Sequence, residues 1–157
     1  MKNVLDPRLM QIWDALYRVS AKAIIICDGK ILLTLEVPEQ NFYGAPGGGI
    51  DYGESPHETI IRELSEELHL KLTDDQISAQ PIHLSVGNIF TDGKCSNGRG
   101  IPFVYFYYQV TLADGQKPIA GDNNFLWADL AKLKSLNFAS NQAPDKPFYE
   151  KFLKENS

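Results

Sequence analysis

Apolar residues that alternate with polar ones predict most of the strands in this chain. The run at 101–112, IPFVYFYYQVTL, is rich in aromatic and β-branched residues and gives the strongest strand signal. A second β-branched run lies at 19–27, and Asp28-Gly29 after it is a turn signal that predicts a hairpin with a returning strand at 31–35. Two weaker strands are predicted at 81–90 and 125–127.

Apolar residues with a period near 3.6 predict the helices, and the clearest helix is expected at 55–70. Ser55 suits the cap position, Pro56 the first helical position, and Glu58 completes a capping box. The apolar residues of this segment share one arc and form the expected buried face: Ile60, Ile61, Leu64 and Leu68. The same spacing predicts a helix that begins at Asp6-Pro7 and helices at 130–136 and 147–154.

Stretches rich in glycine, proline and asparagine separate these elements. They predict loops at 38–53, 91–100 and 113–124, and the first has room for a short strand. Runs of strands with helices between them favour an α+β fold or a mixed sheet. Because the chain has 157 residues and no repeat or long linker, we expect one domain over 1–157.

The charge balance narrows the function classes. The chain has 15 basic and 20 acidic residues, a formal net charge of −5. This balance argues against a broad electrostatic surface for long nucleic acid, which would need excess Lys and Arg. It does not argue against a nucleotide in a pocket, since a bound divalent cation can supply positive charge.

The cysteines and the apolar runs indicate where the protein acts. Cys27 and Cys95 belong to no Cys-x-x-Cys or Cys/His cluster, so no zinc site is expected, and Cys27 is expected to be a buried free thiol. No segment resembles a signal peptide, and none approaches the roughly 20 apolar residues of a membrane helix. We therefore expect a cytoplasmic protein without a membrane partner.

Three carboxylates share one face of the helix at 55–70. Glu63, Glu66 and Glu67 are spaced i, i+3, i+4, an arrangement that opposes helix formation because like charges are neighbours. Hard oxygen ligands at close range are what Mg²⁺ or Mn²⁺ takes, together with substrate phosphate oxygens. The alternative is a solvated acidic face in which Arg62 and Glu66 form a surface ion pair.

The loop before this helix completes a longer pattern. Gly48 is followed after five residues by Glu54, and after seven more by Arg62-Glu63-Leu64-Ser65-Glu66-Glu67. This pattern resembles the Nudix hydrolases, whose box reads Gly, five residues, Glu, seven residues, Arg-Glu-apolar-x-Glu-Glu-x-Gly-apolar. The box spans about 48–70 here, and these positions match: Gly48, Glu54, Arg62, Glu63, Leu64, Glu66, Glu67 and Leu70.

One box position departs from the family. His69 stands where the family has glycine, at a point where a helix would end in the left-handed conformation. His tolerates that conformation better than a β-branched residue does. We expect His69 to be a cap or surface residue rather than a metal ligand.

The resemblance implies a Nudix fold, an α/β/α sandwich with a mixed β-sheet and a loop-helix that carries the box. It implies hydrolysis of a nucleoside diphosphate linked to another group, with Mg²⁺ or Mn²⁺. Glu63, Glu66, Glu67 and the Gly47 carbonyl would hold the metal. Glu54 and Arg62 would brace the loop against the helix, and these two and the three glutamates form the implied catalytic set.

The general base and the substrate stay open. Family members use either a box glutamate or an acid on a distant loop, so the candidates are Glu63, Asp122 and Asp92. The candidates for substrate binding are Tyr43, which could stack on a base, Gly48, where backbone can approach closely, and Arg99, which could reach a phosphate. Phe42 and Tyr105 are further stacking candidates, although Tyr105 also fits a sheet core.

Other activities compete with hydrolysis. A non-catalytic nucleotide-binding module on the same fold is the main alternative, although eroded box acids usually attend it. An isomerase acting on an isopentenyl-type diphosphate would need a catalytic cysteine and further His ligands, and neither Cys27 nor Cys95 is placed convincingly for that. The expected partner is a small nucleotide, and the sequence leaves a homodimer undecided.

Overall fold

The computed structural model describes residues 17–89, 101–138 and 142–156. The helix predicted from Asp6 and the loop predicted at 91–100, with Asp92, Cys95 and Arg99, lie outside the described residues.

The described strands form two hydrogen-bonded sheets. The strands are β1 (Arg18–Ile24), β2 (Ile26–Cys27), β3 (Lys30–Val37), β4 (Phe42–Gly44), β5 (Gly47–Gly49), β6 (His83–Ile89), β7 (Ile101–Gln109), β8 (Phe125–Ala128) and β9 (Asn137–Phe138). The first sheet has the order β5-β1-β7-β6, in which β1 and β7 are parallel and the other pairs antiparallel. The second sheet has the order β2-β3-β4-β9, and β8 also pairs with β3.

Helices accompany both sheets. The α-helices are α1 (Pro56–Leu68), α2 (Leu130–Ser135) and α3 (Lys146–Glu155), and short 3₁₀ turns lie at Pro38–Gln40, Asp74–Gln76 and Ala143–Asp145. None of the described helices has the length and apolar character of a membrane span. The predicted α+β fold is confirmed. Its strands form two sheets, and both are mixed, because β1 and β7 are parallel in the first sheet and β4 and β9 in the second.

The hairpin between β2 and β3 forms where the sequence predicts it. Asp28 and Gly29 both have positive φ, 49° and 69°, which matches the twist that two-residue hairpin turns need. The expectation that Cys27 is buried is wrong, because Cys27 is the last residue before this turn and its free thiol is exposed. Apolar neighbours in sequence do not bury a residue at the tip of a hairpin.

Helix α1 begins and ends as its sequence predicts. The Ser55 hydroxyl accepts from the Glu58 amide at 3.2 Å, and the Glu58 carboxylate accepts from the Ser55 amide at 2.8 Å, so the capping box is formed. His69 ends the helix in the left-handed conformation, with φ 50° and ψ 28°. The expectation that His69 is a cap is therefore confirmed.

The hydrophobic core has two clusters. One packs α1 onto the first sheet, with Ile60, Leu64 and Leu68 fully buried against residues of β1 such as Ala21 and Ala23. The other lies among the two sheets, α2 and α3, and contains Tyr105, Tyr107, Tyr149 and Leu153. Residues of β1 contribute to both clusters, so this strand fixes the position of α1 relative to the rest of the molecule.

Candidate active site

The glycine-rich segment enters the first sheet as strand β5. Gly47–Gly49 pairs antiparallel with β1, with Lys22 opposite Gly47. Gly47 has a φ of +118°, and a Cβ there would collide with the Ala21 carbonyl. A Cβ on Gly48 would overlap the Glu63 carboxylate. The glycines therefore let the loop lie directly against β1 on one side and the acidic face of α1 on the other.

Arg62 joins the loop to the helix. Its Nε and Nη2 donate to the two carboxylate oxygens of Glu54 at 2.7 and 2.9 Å, its Nη2 also donates to the Gly49 carbonyl at 3.2 Å, and its Nη1 donates to Glu63 Oε1 at 2.8 Å. These bonds from Arg62, with one from Thr59, lower the pKa of Glu54 to about 2. The Glu54 carboxylate in turn raises the pKa of Arg62, so this pair is charged at any physiological pH.

Glu67 is the most enclosed of the three helix acids. Its side chain accepts from the Gly47 amide at 3.0 Å and from Asn123 Nδ2 at 2.7 Å, and the residue is only 9% exposed. Burial raises the pKa of Glu67, while the nearby Lys22 charge and the two donated hydrogen bonds lower it. Glu67 is thus a desolvated carboxylate held in place from the loop and from a second, distant segment.

The other two acids are more accessible. The Glu63 side chain is 18% exposed and hydrogen-bonded to Arg62, whereas Glu66 is 51% exposed with its Oε2 3.6 Å from Arg62 Nη1. The Arg62–Glu66 ion pair of the solvated-face alternative is therefore present. It coexists with the enclosed Glu67, so the acidic face as a whole is not a simple solvated surface.

A segment from the loop before β8 docks on the end of α1. The Gly121 and Asp122 amides donate to the Glu67 and Glu66 carbonyls at 2.8 and 3.1 Å, which satisfies carbonyls that a helix end leaves open. A Cβ on Gly121 would collide with the Glu66 carbonyl, so glycine permits this approach. Asp122 itself is exposed, and its backbone lies beside the acids.

A buried ion pair beside the site was not predicted. Lys22 is only 6% exposed, and its Nζ donates to the Gly47 carbonyl at 2.6 Å and to Glu36 Oε1 at 2.9 Å. The buried Gln142 donates to the same Glu36 oxygen at 2.7 Å. The available signal was a lysine between two alanines inside a predicted strand. It was missed because a lysine in a strand is usually assumed to face solvent.

The remaining candidates lie on β4, in the hydrophobic core or outside the described residues. Tyr43 lies on β4 and packs, half-buried, against the core that contains Tyr149. Phe42 precedes it on the same strand. Tyr105 is 1% exposed in the core, so it is not available to stack on a base. Arg99 and Asp92 fall in the segment that the structure does not describe.

The donor types fit a hard divalent cation. Three carboxylates within five helical residues, together with a backbone carbonyl of the adjoining loop, are the kinds of oxygen ligand that Mg²⁺ and Mn²⁺ prefer. Within the described residues, no three His, Cys, Asp or Glu side chains converge on one point as they stand. The oxygens of the expected ligands instead accept hydrogen bonds from other side chains. Arg62 donates to the Glu63 carboxylate, Asn123 donates to the Glu67 carboxylate, and Lys22 donates to the Gly47 carbonyl.

The fold is similar to that of several solved structures. The MutT protein from Bacillus halodurans is 22% identical with a TM-score of 0.64, over 87% of this chain and 82% of that one. The dihydroneopterin triphosphate pyrophosphohydrolase of E. coli is 16% identical with a TM-score of 0.66, over 89% and 99%. A bifunctional NMN adenylyltransferase/ADP ribose pyrophosphatase from Francisella tularensis, complexed with AMP and a Mn ion, is 20% identical with a TM-score of 0.59, over 96% of this chain and 45% of that one.

Two sequence comparisons gave different results. The search of curated proteins found no match. A family model for the NUDIX domain matches residues 16–153, a range that includes both sheets, α1 and the glycine-rich loop. With the box residues assembled around Arg62 and Glu67, this match means that the chain belongs to the Nudix family and is a Nudix hydrolase.

Proposed function

We propose that this enzyme hydrolyses a phosphoanhydride bond in a nucleoside diphosphate linked to another group, using Mg²⁺ or Mn²⁺. The observation that carries the proposal is the set of hydrogen bonds between the loop and the helix. Arg62 donates to both Glu54 and Glu63, and the Gly47 amide donates to Glu67. These contacts fix a glycine loop against three carboxylates, an arrangement suited to a divalent cation and to a phosphate chain.

The proposed roles follow from these contacts. Glu63, Glu66, Glu67 and the Gly47 carbonyl are the proposed metal ligands, while Glu54 and Arg62 hold the loop at a fixed distance from α1. A bound divalent cation would neutralise phosphate charge and acidify a water molecule. The chain's own residues position the reacting groups, which is most of what phosphoryl transfer requires of a protein.

The general base lies among three candidates. Glu63 is the proposed base within the box because it is held at the loop by Arg62. Asp122 is a second candidate, since the segment that carries it docks on the end of α1. Asp92 is the third. Replacing each by Asn or Gln and comparing the pH profile of turnover would separate them, because only the base removes the acidic limb of the profile.

The substrate is proposed to be a small nucleotide. Two of the structurally similar proteins are named as pyrophosphatases of dihydroneopterin triphosphate and of ADP ribose. A nucleoside triphosphate and a nucleotide-sugar are therefore both suitable test substrates here. Tyr43, Gly48 and Arg99 are the proposed substrate contacts. We further propose a single domain over 1–157 that acts in the cytoplasm, without long nucleic acid or membrane, and we leave a homodimer to measurement.

A nucleotide panel with Mg²⁺ and Mn²⁺ tests this function. We expect cleavage of at least one nucleotide, with both products detected by chromatography, and a loss of at least 100-fold in Glu67→Gln. Glu155→Gln is the matched control, since Glu155 is an exposed residue at the end of α3. Nucleotide binding without turnover across the panel would instead indicate the non-catalytic binding module.

A further inference from the structure

An ammonium group already occupies the carbonyl that the proposed function gives to a metal. Lys22 Nζ lies 2.6 Å from the Gly47 oxygen. The amide of the same glycine donates to Glu67 at 3.0 Å. One residue of the loop thus connects the lysine and the most enclosed acid of α1.

The position of Lys22 is fixed by a built network. Lys22 is only 6% exposed, and a buried ammonium without partners is strongly unfavourable, so its partners determine where it lies. Glu36 accepts from it at 2.9 Å and is itself held by Gln142 at 2.7 Å. A Cβ on Gly44 would lie 2.5 Å from Gln142 Nε2 and 2.6 Å from Glu36 Oε1, so glycine makes room for this pair.

Two cations on the Gly47 oxygen would repel each other at close range. Mg²⁺ binds oxygen at about 2.0–2.1 Å, and an ammonium on the same oxygen would then face the ion across a few ångströms. The repulsion between two charges is strongest away from solvent, and both Lys22 and the neighbouring Glu67 are buried, at 6% and 9% exposed. Lys22 at this position therefore opposes the binding of a divalent ion to the Gly47 carbonyl.

We propose that Lys22 is a resident cation that takes the place of a divalent ion at the Gly47 carbonyl and so sets how many metal ions this chain binds. While Lys22 holds the Gly47 carbonyl, a divalent ion binds through the carboxylates of α1, and the Gly47 carbonyl becomes the further ligand proposed above only when Lys22 has left it. The proposal rests on the proposed metal-dependent function. It concerns binding alone, so it can fail while hydrolysis is observed, and it can hold while no substrate is found.

Mn²⁺ binding without substrate tests the proposal. Free Mn²⁺ is followed by electron paramagnetic resonance in the wild type, Lys22→Met and the double variant Lys22→Met/Glu36→Leu, with Lys117→Met as a control for an exposed lysine. The double variant removes both charges of the Lys22–Glu36 pair, so its net charge is that of the wild type and Glu36 is not left without its ammonium partner. Circular dichroism confirms that each variant is folded.

We expect both Lys22 variants to bind one further Mn²⁺, or to bind Mn²⁺ at least tenfold more tightly, and Lys117→Met to match the wild type. Adding Glu67→Gln to the double variant should abolish the gain. Unchanged stoichiometry and affinity in the folded double variant would overturn the proposal. A gain confined to the single variant would also overturn it, because a general charge effect would then explain the result.

Discussion

The end of helix α1 offers a prediction that isolates one backbone conformation. His69 has φ 50° and ψ 28°, and its amide donates to the Leu64 and Ser65 carbonyls. Its side chain is exposed, so replacing it removes no packing. We expect His69→Gly to stabilise the protein, because glycine adopts this conformation without the clash that a Cβ causes.

The magnitude follows from two opposing effects. A left-handed conformation costs a residue with a Cβ roughly 1–2 kcal/mol. Glycine loses more freedom on folding, which offsets about 0.4–1 kcal/mol of that gain. With the central values of these two ranges, the free energy of unfolding should rise by about 0.8 kcal/mol, a shift in melting temperature of about 2–3 °C for a domain of this size.

Urea denaturation followed by circular dichroism measures this change. The midpoint should rise with an unchanged m-value. Turnover should stay at the wild-type level because the His69 side chain is exposed to solvent at the end of α1. His69→Ala is the matched control, since alanine removes the imidazole and keeps the Cβ, and it should give no gain. An equal gain in both variants, or a loss in His69→Gly, would refute the backbone explanation.

Four further substitutions test other contacts of the site and the core. Gly48→Ala should reduce turnover at least tenfold because its Cβ would displace the Glu63 carboxylate; unchanged kinetics would contradict the close approach. Arg62→Lys should lower kcat/KM by about 10–100-fold, since lysine lacks the planar guanidinium that bonds both Glu54 oxygens and Glu63 from separate nitrogens. Glu54 has its pKa lowered from 4.5 to about 2, so its ionised form stabilises the fold above pH 4.5 and that contribution is lost as the pH falls towards 2. Glu54→Gln should flatten the dependence of the urea midpoint on pH in that window, and a parallel curve would count against it. Leu64→Ala should lower the free energy of unfolding by about 2–5 kcal/mol in the same assay, because Leu64 is fully buried; a loss below 1 kcal/mol would contradict that packing.

The features that could be predicted from the sequence are those with local causes. The start of α1 is fixed by Ser55 and Glu58, which lie within one turn, and its end by the conformation of His69. The hairpin turn at Asp28 depends on two adjacent residues with positive φ. The shared face of the helix acids follows from helical geometry alone.

The features that could not be predicted depend on distant pairings. Strand β5 is a glycine run with little intrinsic preference for a strand, and it forms because β1 provides its partner. Lys22 and Glu36 are 14 residues apart, and Glu36 and Gln142 are 106 apart, so no short motif announces their cluster. The docking of Asn123 on Glu67 likewise joins segments 56 residues apart.

The central claim is that the acidic face of α1 and the glycine loop form a metal-dependent hydrolytic site. The most direct measurement is the rate of phosphate-bond cleavage on a nucleotide panel as Mg²⁺ is titrated from zero, for the wild type and for Glu67→Gln. The account predicts cleavage that requires Mg²⁺ and that falls at least 100-fold in the variant. Cleavage that is equal in the two proteins, or equal with and without divalent ions, would contradict it.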